Sequence, residues 1–342
     1  MFSFIEKMYI FADKIYKNIE FIKNEQIMNE ERKNYQLKFE GTGGEYFGIF
    51  IVNWLLTIVT LGFYYPWAKA KTVKYFYGAT SINDNHFSFN GQGKEMFIGM
   101  LKFGLFFIIA AAVMFLFAAI KLQVLGIILL YVILIAIIPL ALHGSMRYRM
   151  SRTSLRGIRF GYRGDRTTLI KEWTKMFLLT IVTLGFYGAW MEMKLRKYMM
   201  GNVRYGEVEG RFDGDGGEYF GVIIKGYLLT LVTLGIYSFW WQRDLFNYMM
   251  ENTSFHKDEQ KIEIKSTVTG GGIFKLGLVN ILLLIFTLGI GYAWVAVRTT
   301  KYYTENLILE GDIDLASLTQ TEEEYNNAFG DGALDFFDID LF

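Results

Sequence analysis

The chain has 342 residues, of which 52% are hydrophobic, 18% aromatic and 20% charged, with a formal net charge of +1 and no cysteine. Recurrent long apolar stretches and a mean hydropathy of +0.24 exclude an ordinary soluble globule and point to a membrane protein. The missing thiols exclude disulfides, thiolate catalysis and Cys-ligated metals, and a near-neutral charge gives no reason to expect a nucleic-acid partner.

Residues 1–35 place Phe4, Met8, Phe11, Ile15, Ile19 and Ile22 at helical spacing with lysines between them. That pattern predicts an amphipathic helix lying on the membrane or packing against a cytoplasmic sheet. The segment is charged throughout and has no apolar core of the kind a cleavable signal carries.

Six apolar runs follow, at roughly 46–67, 97–120, 124–142, 173–190, 219–241 and 273–297. Within them a phrase recurs: LLTIVTLGFY ending at Tyr64 and again at Tyr187, LLTLVTLGIY ending at Tyr237, and LLLIFTLGIGY ending at Tyr292. Gly62, Gly185, Gly235 and Gly289 are each followed five residues later by a tryptophan, namely Trp67, Trp190, Trp240 and Trp294. A fixed phrase at such intervals signals an internally repeated architecture. Its threonine and glycine are expected to satisfy backbone groups at a turn in or near lipid, and the tryptophans to form an interfacial belt.

The flanks extend the frame. An apolar/polar alternation and a glycine break precede the phrase in LKFEGTGGEYFG and GRFDGDGGEYFG, which reads as strand and then helix. A basic segment with a tyrosine and a short strand follow it, as in KYFYGATS and HFSFNG. GQGKEMF at 91–97 matches GTGGEYF at 41–47, so the stretch from 91 to 164 is a unit whose enlarged middle has lost the phrase. Its limbs, Phe97–Ile120 and Val124–Leu142, would be about 36 and 29 Å long, enough for full crossings.

The expected fold is therefore an α-helical membrane protein with short cytoplasmic β-strands. It comprises five tandem β–α–α helical-hairpin repeats, the second with full-length spanning helices and the others partly re-entrant. Unit boundaries fall at about 36–91, 91–164, 158–214, 208–271 and 263–316, followed by an acidic, disordered tail at 317–342. Charge supports the hairpins over six simple spans. Six spans divide the Lys and Arg residues between the two faces almost evenly, whereas hairpins leave only Lys121 on the far side. Both termini are then cytoplasmic.

Chemistry is sparse. His86, His143 and His256 share no metal spacing, and no nucleophile elbow, P-loop or dinucleotide fingerprint is present. No metal, cofactor or enzymatic activity is expected. In the Gly43-Gly44-Glu45 and Gly216-Gly217-Glu218 runs, a glutamate in the first helical turn suits capping, with a cation or headgroup contact as the alternative. The sharpest lead is positional: Lys102, Lys175 and Lys225 align with Val52, while Val279 of the last unit has Lys275 one turn earlier. An intramembrane lysine costs about 2.5–3.5 kcal/mol on insertion scales. These ammonium groups either snorkel to headgroups or face an anion or lipid phosphate in a central cavity, with Asn53 and Asn280 as polar neighbours.

The segment GTGGEYFGIFIVNWLLTIVTLGFYYPWAKAKTVKYFYGAT at 41–80 resembles the signature of YjgN-type bacterial inner-membrane proteins, a domain of unknown function. The match is specific over about 38–91 and looser elsewhere, including RGIRFGYRG and the acidic C-terminus. The resemblance implies a bacterial cytoplasmic-membrane protein and supplies no activity or site residue. The expected function is a transporter or channel-like cavity for a small anion or lipid. The alternative is a membrane-anchored scaffold or regulator acting through its cytoplasmic face and the acidic tail, whose Phe336, Phe337 and Phe342 would anchor on a protein partner. Membrane lipids are partners in either case.

Overall fold

A computed structural model describes residues 33–322. Most of the expected amphipathic helix and the tail beyond residue 322 lie outside the described residues. Lys33, Asn34 and Tyr35, assigned to that helix by sequence, belong instead to the first strand.

The strands are β1 (Lys33–Phe39), β2 (Thr80–Ile82), β3 (Asn85–Phe89), β4 (Thr153–Leu155), β5 (Ile158–Tyr162), β6 (Val203–Tyr205), β7 (Val208–Phe212), β8 (Thr253–Lys257), β9 (Gln260–Ser266) and β10 (Leu307–Gly311). Helix pairs join alternate strands: α1 (Gly43–Val59) with α2 (Tyr65–Gly78), α3 (Gly93–Ala119) with α4 (Gln123–Arg152), and α5 (Arg166–Val182) with α6 (Gly188–Gly201). The remaining pairs are α7 (Gly216–Val232) with α8 (Ser238–Glu251) and α9 (Gly270–Phe286) with α10 (Tyr292–Glu305).

Local chemistry sets the helix starts. The Thr42 hydroxyl accepts from Glu45 N and the Glu45 carboxylate accepts from Thr42 N, each at 3.3 Å, a reciprocal capping box. Asp165 accepts from Thr168 N at 2.7 Å, Asp215 from Gly217 N at 2.7 Å, and Thr269 from Gly272 N at 3.1 Å.

The expected fold class is overturned by what the strands do. They are not short accessories to an α-helical repeat protein: all ten pair antiparallel into one closed barrel, ordered β1-β10-β9-β8-β7-β6-β5-β4-β3-β2. Closure pairs Lys33 with Gly311 and Gln36 with Ile308, segments at opposite ends of the described chain. The physical reason is edge satisfaction. Three-residue strands such as β2, β4 and β6 leave unpaired backbone groups on both sides until the ring is complete. Among the described residues only α3 and α4, the unit expected to span, are long and apolar enough to cross a membrane, and the re-entrant hairpins expected of the other units are not supported.

Because successive strands alternate in direction, the five helix pairs all leave one end of the barrel. Each first helix packs on its own second helix and on the second helix of the preceding pair; α1 on α10 completes the circle. At the other end are tight turns. Asn83 and Asp84 (φ 47° and 62°) and Arg156 and Gly157 (φ 55° and 81°) have the paired positive φ that two-residue hairpins demand.

Alternation along β1 turns Tyr35 and Phe39 inward and leaves Asn34, Gln36 and Lys38 exposed. Inward residues beside the tight turns, among them Tyr35, Ile82, Leu155, Ile158, Tyr205, Val208 and Ile262, form the barrel core. Ile313 and Leu318 join that core, so residues 312–322 form a strap that closes this mouth. Tyr35 Oη donates to Ile313 O at 2.7 Å across 278 positions. The tail that sequence begins at Ser317 is therefore ordered on the barrel through Glu322, because Leu318 supplies an apolar anchor that an acidic composition conceals.

Candidate functional site

The recurrent phrase forms a helix stop. In its first copy Leu61 lies at φ 51° and Gly62 at φ 91°. Leu61 N donates to Ile58 O at 3.0 Å and Gly62 N to Thr57 O at 2.7 Å, the hydrogen-bond pattern of a Schellman motif. Thr60 Oγ1 donates to Leu56 O at 2.7 Å and accepts from Tyr64 N at 3.0 Å, so the next helix starts with its first donor satisfied. The same geometry recurs at Leu184-Gly185, Leu234-Gly235 and Leu288-Gly289. Between α3 and α4, where the phrase is missing, Lys121 takes the left-handed position at φ 60°.

The tryptophans pack between neighbouring helix pairs. Each is half-buried and lies over the glycine that opens the first helix of the following pair: Trp67 on Gly93, Trp190 on Gly216, Trp240 on Gly270 and Trp294 on Gly43. A Cβ on any of these glycines would sit within 2.6 Å of the indole. The first-turn phenylalanine of the same helix completes each contact, with ring centroids at 5.1 Å for Trp67–Phe97 and 5.4 Å for Trp190–Phe220. The gap at each glycine admits the indole face.

Tyrosines of the basic segments hold the same joints from within four of the five pairs. Tyr75, Tyr198, Tyr248 and Tyr302 donate to the cap carbonyls of Thr42, Asp165, Asp215 and Thr269 at 2.9, 2.7, 2.9 and 3.2 Å. Sequence marked these tyrosines without assigning them a role; their constant spacing of 33 residues from the cap was the available signal.

Lys102, Lys175, Lys225 and Lys275 are all exposed and stand on α3, α5, α7 and α9. Successive members of this set are separated by an intervening second helix. Lys175 shares its helix face with Leu178 and Val182, and Lys225 shares its own with Leu228 and Val232, all exposed. Asn53 and Asn280 are buried away from them. Asn53 Nδ2 donates to Ala68 O at 3.3 Å and Asn280 Nδ2 to Thr299 Oγ1 at 3.1 Å, while the Oδ1 of each has no hydrogen-bond partner.

The three histidines lie apart. His86 Nδ1 bonds Gly78 O at 2.9 Å, His143 Nε2 bonds Gly164 O at 2.9 Å, and His256 Nε2 pairs with Ser254 Oγ at 3.0 Å. Partial burial, then Arg211 and Lys261, hold His256 below the ordinary imidazole range. Among the described residues no group of three or more His, Asp or Glu is placed to hold a metal.

Sequence reasoning named Asn53 beside a cavity but did not place that cavity within a single seam of the crown. A cavity of about 530 Å³ lies between α1, α2 and α10. Phe50, Trp54, Phe76 and Tyr292 give it aromatic walls; Asn53, Lys69, Thr72 and Thr299 give it polar groups. Such a mixture suits a ligand with an apolar body and a polar head.

Fold and surface define a class: a closed antiparallel barrel crowned by apolar helix pairs, with a lined cavity in the crown. The chain belongs to the family described as bacterial protein of unknown function (DUF898), which matches residues 34–213, 207–260 and 241–336. It is 33% identical over 162 residues to the inner membrane protein YjgN of Salmonella typhimurium, covering 47% of this chain and 39% of that protein. It is 34% identical over 161 residues to the inner membrane protein YjgN of Escherichia coli O157:H7, again covering 47% and 39%. The chain thus spans about two fifths of the length of the curated relatives it matches. No solved structure matches it.

Proposed function

We propose that this chain is a bacterial inner-membrane protein that seats its helical crown in the bilayer and binds an anionic amphiphile, such as a lipid, between α1, α2 and α10. The cavity carries the reading: Lys69 supplies a cation and the buried, unpartnered Asn53 Oδ1 an acceptor, beside an aromatic wall. The role is binding or passage, not catalysis.

Surface chemistry supports the placement in lipid. Val59, Val182 and Val232 are 76–78% exposed on the first helices, and the turn leucines 61, 184, 234 and 288 are 89–94% exposed. A belt of this size is unfavourable in water and neutral in hydrocarbon. Lys102, Lys175 and Lys225, each nine residues past the start of its helix, and Lys275, five residues past, then reach toward cytoplasmic headgroups along their stems, with the barrel and both ends of the chain in the cytoplasm. The names of the relatives agree with this location.

Native mass spectrometry of the full chain extracted from membranes tests the site. Bound phospholipid is expected on the parent and is expected to be lost from a variant combining Asn53→Leu with Lys69→Ala, while circular dichroism stays unchanged. Equal lipid retention by the two proteins would remove the proposal.

A further inference from the structure

The barrel wall carries a second concavity of different chemistry. A cavity of about 490 Å³ beside β5 is lined by Arg147 of α4, by Arg159, Gly161 and Arg163, and by Glu322 of the strap. The Glu322 carboxylate accepts from Arg163 Nε at 2.9 Å and from Arg163 Nη2 at 2.6 Å. Its side chain is 16% exposed, whereas that of Arg163 is 53% exposed. Gly161 makes room for it, since a Cβ there would sit 2.4 Å from the carboxyl carbon. The strap is steered to this point by two contacts: Arg159 N donates to Gln320 Oε1 at 2.7 Å, and Thr321 Oγ1 donates to Gly206 O at 2.6 Å.

A guanidinium fork donates to carboxylate and to phosphoryl oxygens with the same geometry. The space is far larger than one carboxylate, and three arginines line it. We propose that this is a binding site for a phosphoryl group, in which Glu322 stands as a displaceable internal ligand. Phosphate and Glu322 then compete for Arg163. By linkage, removing the carboxylate tightens phosphate binding, and phosphate in turn loosens residues 319–322. The site shares no residue with the crown cavity, so either proposal can fail alone.

The test uses the full chain in phosphatidylcholine nanodiscs, titrated calorimetrically with inorganic phosphate, and co-sedimentation with vesicles with and without phosphatidylglycerol. Glu322→Gln is expected to bind about tenfold more tightly than the parent, Glu322→Asp to behave as the parent, and Glu322→Gln combined with Arg163→Gln to lose the gain. A gain in the phosphate titration assigns the site to free phosphate. A gain confined to phosphatidylglycerol vesicles assigns it to a lipid headgroup. Equal binding by the parent and Glu322→Gln in both arms, or a gain that survives loss of Arg163, overturns the proposal.

Discussion

At the scale of single residues, the molecule depends on a glycine and an indole meeting between neighbouring helix pairs. Trp190 lies on Gly216 and Phe220, and neither partner can change without disturbing the other. Trp190→Ala is expected to cost about 3 kcal/mol of stability. Gly216→Ala is expected to be destabilising too, because its methyl meets the indole at 2.3 Å. Since both substitutions break one contact, the double variant should lose clearly less than their sum. Thermal unfolding of the four proteins in one detergent gives the cycle, and strictly additive losses would refute the joint. The TLG turn was legible in sequence because every bond that makes it is local, from Thr57 O to Tyr64 N. The tryptophan's partner was not, since it lies on the next helix pair, and hydrophobic spacing does not say which neighbour a ring will cover.

At the scale of elements, the strap shows how composition misleads. Residues 317–322 read as the start of an acidic tail, yet Leu318 is 7% exposed in the barrel core. Two carboxylates fasten the strap, Glu207 at the β6–β7 turn through Thr319 and Asp314 through Lys33 of β1. Glu207 is held below the usual carboxylate range by the Thr319 hydroxyl and then by backbone N–H groups. Asp314 is held low by Ala316 N and then by Lys33. A folded-state pKa below the unfolded one gives stability that is present above about pH 4 and lost as pH falls through the lowered values. Protection factors from hydrogen exchange across 312–322 should therefore be high at neutral pH and fall in strong acid before those of the β8–β9 hairpin. Loss of both together would mean that the carboxylates do not fasten the strap. Strands β1, β3, β5 and β7 were foreseen from alternation and glycine breaks; the three-residue β2, β4 and β6 and the pairing of all ten were not, because a three-residue strand carries no register information of its own.

At the scale of the whole molecule, closure is the central fact. The β1–β10 pairing and the α10–α1 packing complete the barrel and the crown at the same seam. The apolar belt outside the crown has a direct test in a chain without native cysteine. In native membranes a water-soluble maleimide should label Glu259→Cys at a barrel turn rapidly. It should label Phe63→Cys, Phe186→Cys and Ile236→Cys only after detergent is added. Uniform labelling before detergent would mean that the exposed turns do not lie in lipid.

Sequence by itself determined the local pieces: the helix starts at Gly43-Gly44-Glu45 and Gly216-Gly217-Glu218, the TLG turns, the alternating faces of β1, and the apolar character of the crown. All of these follow from bonds and spacings within a few residues of each other. Only the tertiary structure decided that the strands close on themselves, that the tryptophans lock neighbouring pairs, that Lys102, Lys175 and Lys225 stand apart, and that Leu318 plugs the barrel. Those outcomes depend on unpaired edges and apolar faces finding partners far along the chain, a choice settled by the free energy of the closed whole and not by any local pattern.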